Sequence, residues 1–193
     1  KNYVYSKEME HDACGVGVIV STEGKKSREI VEHGIEALKA VWHRGAVDAD
    51  GKTGDGAGIH VEIPKNFFIE KIEVTGHDYD SAEICVGMIF LPRNDYSAQE
   101  SCKTIVESEL TKNNFSIYGW RQVPVNSKIL GQKALQTMPE IIQVLFKSND
   151  RNLLDKNLER KIYETRKKIE KKAFQLSLNN FYICSISSKS IIY

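Results

Sequence analysis

Cys14 is the residue whose type and context best suit it for covalent chemistry, because it opens the apolar run CGVGVIV. A cysteine thiol has a pKa near 8.5, so as a nucleophile at neutral pH it needs a nearby base or a lowered pKa. When a cysteine is the first residue of a mature chain, its own α-amine, with a pKa of about 7.7–8.0, can act as that base. Gly15 would then keep the approach to the sulfur open.

Two other interpretations of Cys14 follow from the residues alone. A cysteine at the start of a strand is commonly a small buried hydrophobe rather than a catalyst. A metal site formed with His11 is less favoured, because no second pair of ligands at the required spacing occurs in the sequence. The absence of any C-x-x-C pair argues against both a zinc cage and a disulfide framework. We expect buried thiols inside apolar patterns at the other cysteines, which are Cys85, Cys102 and Cys184.

The elements that must position Cys14 begin with a predicted strand over residues 14–21. From Ser27, apolar residues recur every three or four positions, which predicts an amphipathic helix that ends near Gly45. Later strands are predicted over IHVEIP, EICVGMIFLP, FSIYGWRQVPV, EIIQVLFK, FYICSISS and SIIY, with helices over DYSAQESCKTIVESELTKN and residues 151–173. The strands stand in adjacent groups, which favours an α+β fold over a doubly wound parallel sheet.

The composition narrows the possible partners. The chain has 193 residues with 27 basic and 26 acidic side chains, which allows one sizeable core and gives no reason to expect nucleic acid or a membrane surface as partner. No apolar run approaches the roughly 20 residues that would cross a bilayer. Residues 151–173 intersperse acidic with basic side chains, which is typical of a solvated helix face. The scattered cysteines fit a reducing compartment, so we expect a cytoplasmic location.

A combination of motifs distributed over nearly the whole chain resembles the class II glutamine amidotransferase domain of glutamate synthases. The matching stretches are EHDACGVGVIV, HGIEALKAVWHRGAVDADGKTGDGAGIHVEIPKNFF, YGWRQVPVNSKILGQKALQTMPEIIQ, LERKIYETRKKIE and FYICSISSKSIIY. The HRGA element alone would indicate only the broad class. The GDGAG, GWR-VP and SIS--SIIY elements indicate glutamate synthase in particular.

The resemblance implies a fold and a mechanism. The fold is that of N-terminal-nucleophile hydrolases, an αββα four-layer sandwich that would be C-terminally incomplete in this chain. The domain would cover residues 14–193, and residues 1–13 would be the remnant of a propeptide. Cys14 would attack the side-chain amide of glutamine and form a γ-glutamyl thioester, while its α-amine, set free by cleavage after Ala13, moves the protons.

The resemblance also implies a role for Arg44, which matches the arginine of the family's HRG element beside the nucleophile. Arg44 would be a substrate-binding residue in the wall of the site, and the alternative is a cation that interacts with the dipole at a helix C-terminus. The GDGAG loop lacks the Lys-Ser/Thr ending of a phosphate-binding loop, so its glycines indicate tight turns near the site. We expect Asp55 to anchor this loop through backbone amides.

Other implied parts of the enzyme lie outside these residues. The family's substrate-gripping arginine, its Asn-Gly oxyanion hole and its aspartate for the substrate amine have no matching motif in residues 1–193, so we expect this chain alone to be inactive. The resemblance implies no cofactor and no metal here. FMN and an iron–sulfur cluster would belong to the remaining glutamate synthase domains, where ammonia meets 2-oxoglutarate. Two alternatives are a stand-alone class II amidotransferase or N-terminal-nucleophile hydrolase acting on another amide, and a non-catalytic remnant scaffold.

Overall fold

The computed structural model describes residues 15–80 and 82–193, so the predicted nucleophile at position 14 lies outside the described part. The chain forms five α-helices: α1 (Arg28–Ala40), α2 (Lys65–Val74), α3 (Tyr96–Lys112), α4 (Gln132–Thr137) and α5 (Asp155–Gln175). Its six strands are β1 (His60–Glu62), β2 (Cys85–Leu91), β3 (Phe115–Gln122), β4 (Glu140–Ser148), β5 (Tyr182–Ser187) and β6 (Ser190–Ile192). Short 3-10 turns cover Trp42–Arg44 and Ser127–Ile129. These helices and strands confirm the α+β prediction.

The centre of the fold is a four-stranded antiparallel sheet in the order β3-β4-β2-β5. Its central strand β2 is buried on both faces, as its nearly continuous apolar sequence predicts. Side chains along β2 alternate between two cores, with Cys85 and Ile89 on one face and Val86 and Met88 on the other. Gly87 allows a close approach, because a Cβ there would lie 2.7 Å from Cγ1 of Val144.

One core lies between the four-stranded sheet and the helices α3 and α5. The helices contribute residues at helical spacing, among them Cys102, Val106, Leu158, Ile162 and Ile169. The second core lies on the opposite face of the sheet, where α2 and the smaller sheet pack. Charged side chains on the outer face of α5 form ion pairs at the predicted spacing, as in the Arg160–Glu164 salt bridge of 3.0 Å. The solvated face predicted for this helix is therefore confirmed.

The smaller sheet pairs β1 with β6 antiparallel and is extended by hydrogen bonds between Ile59 and Tyr193. The chain reaches it from β5 through a corner that Glu159 of α5 holds. The Glu159 carboxylate accepts hydrogen bonds from the Ser188 amide and from the hydroxyls of Ser187 and Ser188, all between 2.7 and 2.9 Å. Residues 185–188, with the sequence SISS, therefore form a structural joint between the two sheets.

The strand predicted over residues 14–21 is wrong for the described residues 15–21, which have no regular secondary structure. Val16, Val18 and Val20 are 90%, 83% and 70% exposed. A strand forms only where a second strand supplies hydrogen-bond partners, and no residue of the described ranges pairs with this segment. The helix predicted over 151–173 begins later, at Asp155.

Candidate functional site

The segment that carries Arg44 starts with α1, and specific residues set both ends of this helix. Ser27 is the N-cap, and its hydroxyl accepts a hydrogen bond from the Ile30 amide at 3.3 Å. The helix ends at Ala40 and is followed at once by the Trp42–Arg44 turn, which Gly45 closes by donating its amide to the Trp42 carbonyl. The backbone of Arg44 therefore stands at the end of a helix and turn, while its side chain lies outside what the structure describes.

Residues 46–55, which we call the site hairpin, follow directly after this turn. At its stem the Asp55 carboxylate accepts from the Ala46 amide at 2.8 Å, and the Asp55 amide donates to the Ala46 carbonyl at 3.2 Å. Further along, Val47 bridges Gly54 and the Asp48 amide donates to the Thr53 carbonyl at 2.7 Å. The predicted anchoring role of Asp55 is confirmed, and it fixes the stem next to Arg44 and Gly45.

Asp50 closes the tip of the site hairpin. Its carboxylate accepts hydrogen bonds from the Lys52 and Thr53 amides and from the Thr53 hydroxyl, at 2.6–2.9 Å. The Thr53 hydroxyl and these amides hold the pKa of Asp50 well below its usual range, so the carboxylate stays ionised in its role as a local acceptor. Sequence reasoning did not single out Asp50, although an Asp three residues before a Thr in a glycine-rich loop is a turn signal.

The GWR element lies in β3. Trp120 donates its indole N–H to Glu107 at 2.7 Å. The Arg121 guanidinium donates to the side-chain oxygen of Gln143 at 2.8 Å and lies 5.1 Å from the ring centre of Phe67. The side-chain nitrogen of Gln143 is buried and has no hydrogen-bond partner among the described residues. These contacts tie β3 to α3, β4 and α2, so the GWR element serves the scaffold.

The three described cysteines lie in environments that suppress their reactivity. Cys85 and Cys102 are fully buried, as the sequence predicts, whereas Cys184 is half-buried. Burial raises the pKa of the Cys102 thiol to about 11, and it raises the pKa of Cys85 and Cys184 as well. All three are therefore neutral thiols at physiological pH, and none of them is an activated nucleophile.

Within residues 15–80 and 82–193, no group of three or more His, Cys, Asp or Glu side chains is placed to hold a metal ion. None of the helices in these ranges combines the length and the apolar character needed to cross a membrane.

Comparison with known proteins places this site in context. Residues 14–193 match the family Glutamine amidotransferases class-II. Over 98% of its length the chain is 53% identical to the large chain of the NADPH glutamate synthase of Azospirillum brasilense. It is 40% identical over 97% of its length to the ferredoxin-dependent glutamate synthase of Pyropia yezoensis, and 38% identical over 95% to ferredoxin-dependent glutamate synthase 1 of Arabidopsis thaliana.

The chain spans 12%, 12% and 11% of the lengths of these three relatives. The family match covers 180 of its 193 residues, since it runs from position 14 to position 193. Every motif quoted for the resemblance lies within or overlaps that range. The chain belongs to the class II glutamine amidotransferases.

Proposed function

We propose that this chain is the glutaminase part of a glutamate synthase and that Cys14 is its nucleophile. The observation that carries the proposal is the position at which the family match begins, which is Cys14 itself. The neutral state of the three described thiols adds support, because it leaves Cys14 as the remaining candidate for a reactive cysteine. The identity to three glutamate synthases specifies glutamine as the substrate to test first.

The proposed reaction runs in two halves at Cys14. The sulfur bonds to the side-chain amide carbon of glutamine while the thiol proton passes to the α-amine of the same residue. The amine returns that proton to the leaving nitrogen, the carbon–nitrogen bond breaks, and ammonia departs from a γ-glutamyl thioester. Water then attacks the thioester carbon, the carbon–sulfur bond breaks, and glutamate leaves while the thiol regains its proton.

This mechanism requires the α-amine of Cys14 to be free, because an amide nitrogen cannot act as a base. We therefore propose that residues 1–13 are a propeptide removed by cleavage between Ala13 and Cys14, and that residues 14–193 form part of the amidotransferase domain. The family match supports this boundary because it starts one residue after Ala13. The proposed fold is the αββα four-layer sandwich, of which the two antiparallel sheets and the α3–α5 layer are consistent parts.

We assign Arg44 to the wall of the glutamine site. Its backbone is held between the end of α1 and the stem of the site hairpin, which is the arrangement that a fixed charged side chain requires. The alternative role, a cation at the C-terminal end of α1, is compatible with the same position. An Arg44→Lys variant separates the two, because it keeps the charge but loses the bidentate fork.

In the complete enzyme the ammonia would pass to 2-oxoglutarate in a partner domain. FMN and an iron–sulfur cluster would be held by those remaining domains, and no step at Cys14 uses either group. The cytoplasmic location stays a prediction.

The decisive experiment compares Cys14→Ala with Cys184→Ala in the intact natural protein. We expect Cys14→Ala to reduce glutamine-dependent ammonia release by about 10⁴-fold or more, as loss of a catalytic nucleophile does, and Cys184→Ala to leave it within about two-fold. A diazo-ketone analogue of glutamine should modify only Cys14, as read by peptide mass spectrometry.

The outcomes separate the alternatives. Labelling of Cys14 without glutaminase activity would indicate a related amidase acting on another amide. If ammonia release by the Cys14→Ala variant equalled that of the wild type, Cys14 would have no catalytic role. The chain would then be a non-catalytic scaffold, and the proposal would be refuted. A fully active protein in which the Ala13–Cys14 bond is intact would refute the assignment of the α-amine as base.

A further inference from the structure

The tip of the site hairpin packs against the β3–β4 connection (residues 123–139) at Gly131. A Cβ atom built on Gly131 would lie 2.5 Å from the Thr53 amide nitrogen and nearer still to the Thr53 hydroxyl and the Asp50 carboxylate. Real Cβ atoms essentially never come so close to other heavy atoms. One of the three atoms is backbone, so the hairpin could not accept a larger residue by turning a side chain aside.

The glycine at position 131 is required by this proximity and not by its backbone conformation. Its φ of −73° and ψ of 166° are ordinary extended values that any residue adopts. Gly131 is buried, whereas the next two residues, Gln132 and Lys133, are exposed. The burial therefore comes from the hairpin tip that lies over it.

Polar contacts surround this close approach. The Lys133 ammonium pairs with the Asp48 carboxylate at 2.5 Å, and the backbone amide of Gln132 contributes to the lowered pKa of Asp50. The Lys133 side chain is 67% exposed, so we expect its ion pair to contribute little. The packing of the hairpin tip on Gly131 is then the main constraint.

The connection is fixed at its start to the four-stranded sheet and near its end to the turn between β2 and α3. The Val123 amide donates to the Ile141 carbonyl at 3.0 Å, and the Arg93 guanidinium donates to the sulfur of Met138 at 3.6 Å. The site hairpin is in turn continuous with the segment that carries Arg44. Gly131 thus links the rigid sheet to the arginine segment through a contact between parts of the chain that are far apart in sequence.

We propose that Gly131 is a positioning residue for the glutaminase site, which sets the place of the Arg44 segment by fixing the tip of the site hairpin. This inference rests on the function proposed above. A larger residue at position 131 pushes the tip outward, and the stem at Ala46 and Asp55 moves with it. Substrate binding is weakened, while the intrinsic reactivity of the Cys14 thiol, which depends on its own α-amine, is kept.

The test is the steady-state kinetics of Gly131→Ala in the intact natural protein. We expect KM for glutamine to rise by about ten-fold or more, because a displacement on the order of 1 Å in a positioning group has effects of this size or larger. The rate of Cys14 alkylation by iodoacetamide, a small reagent that needs no glutamine site, should stay within about two-fold of the wild-type rate.

Gln132→Ala is the matched control, because it removes an exposed side chain next to Gly131 and keeps the backbone amide. Its KM should stay within about two-fold of the wild-type value. Asp50→Asn tests the same contact from the hairpin side should Gly131→Ala fail to fold. It keeps the shape of the side chain, removes the charge that accepts from the Lys52 and Thr53 amides and the Thr53 hydroxyl, and should also raise KM.

Three outcomes would count against the proposal. A wild-type KM in both Gly131→Ala and Asp50→Asn would overturn it. A loss of iodoacetamide reactivity as large as the loss of activity would also overturn it, because the substitution would then have disordered the site as a whole. If the wild-type protein itself fails to react with the glutamine analogue at Cys14, the proposed function is refuted, whatever the variants do. Normal labelling of the wild type together with unchanged variant kinetics refutes only the positioning role of Gly131.

Discussion

The segment around the candidate site and the rest of the chain are built on opposite principles. Between positions 15 and 62 no residue with a described burial is buried, whereas every buried residue of the described structure lies between Ile63 and Ile191. The first region carries the Arg44 turn and the site hairpin, and the second carries both hydrophobic cores. The hydrophobic scaffold and the proposed site are therefore separated along the sequence.

The two regions are also held by different forces. The second gains its stability from apolar burial over two faces of one sheet, which is the larger and non-directional contribution. The first is fixed by directional hydrogen bonds at Asp55 and Asp50, by the Ser27 cap and by the close packing on Gly131. Directional contacts fix a position with small energies, so substitutions in the first region should change function far more than stability.

The sharpest test of this comparison is a pair of large-to-small substitutions, one in each region. Phe146 is fully buried against Phe115, and Val18 is 83% exposed. We expect Phe146→Ala to lower the free energy of unfolding by about 3–5 kcal/mol through lost burial and a cavity. Val18→Ala should change it by less than about 0.5 kcal/mol.

Urea unfolding of the chain followed by circular dichroism measures both changes. Val18→Ala is the control for the loss of apolar atoms as such. A cost for Val18→Ala comparable with that of Phe146→Ala would show that the first region contributes a core of its own, and the comparison would fail.

A second prediction concerns the joint between the two regions. There β6 pairs with β1, the strand that follows the site hairpin in the chain. Glu159→Ala would leave the Ser188 amide and the Ser187 and Ser188 hydroxyls without their acceptor. We expect a loss of about 1–3 kcal/mol in the free energy of unfolding, since unsatisfied part-buried donors keep their desolvation penalty. Glu159→Gln, which retains one acceptor oxygen, should lose less in the same urea titration. Equal losses for the two variants would show that the carboxylate does not hold this corner.

The sequence predicts the second region well, because its signals are local. The unbroken apolar run of β2 and the four-residue spacing of Cys102, Val106 and Leu110 in α3 each indicate one element type. The long charged helix α5 is also predicted, although its start is misplaced by four residues. In each case the residues that determine the type of element lie close together in the sequence.

In the first region the helix from Ser27 is predicted by its local spacing, whereas the other parts are predicted poorly because their structure depends on distant partners. A valine-rich segment such as residues 15–21 is a strand only where another strand pairs with it, and the local pattern cannot supply that information. The contact between Lys133 and Asp48 joins residues 85 positions apart, and Gly131 carries no local signal for it. Asp55 was predictable, because an aspartate in a glycine-rich loop bonds nearby amides.

The smallest expected effect is a pH dependence inside the second region. Asp80 accepts from Tyr118 at 2.9 Å and pairs with Lys147, whose hydrogen bond lowers the pKa of Asp80 from 3.8 to about 2. A carboxyl whose pKa is lower in the folded state stabilises the fold fully above its unfolded pKa, and that contribution is lost as the pH falls through its folded pKa. The urea midpoint of the wild type should therefore fall between about pH 4 and pH 2.

Asp80→Asn should flatten that fall, because it removes the group that titrates. Asp78→Asn is the matched control, since Asp78 is an exposed carboxylate two positions away that has no ion pair or side-chain hydrogen bond to the described residues. A pH profile that is equally steep in wild type and Asp80→Asn would show that other carboxylates set the acid limit. The Asp80 contacts with Tyr118 and Lys147 would then contribute little to the stability of the second region, and its acid sensitivity would come from carboxylates elsewhere.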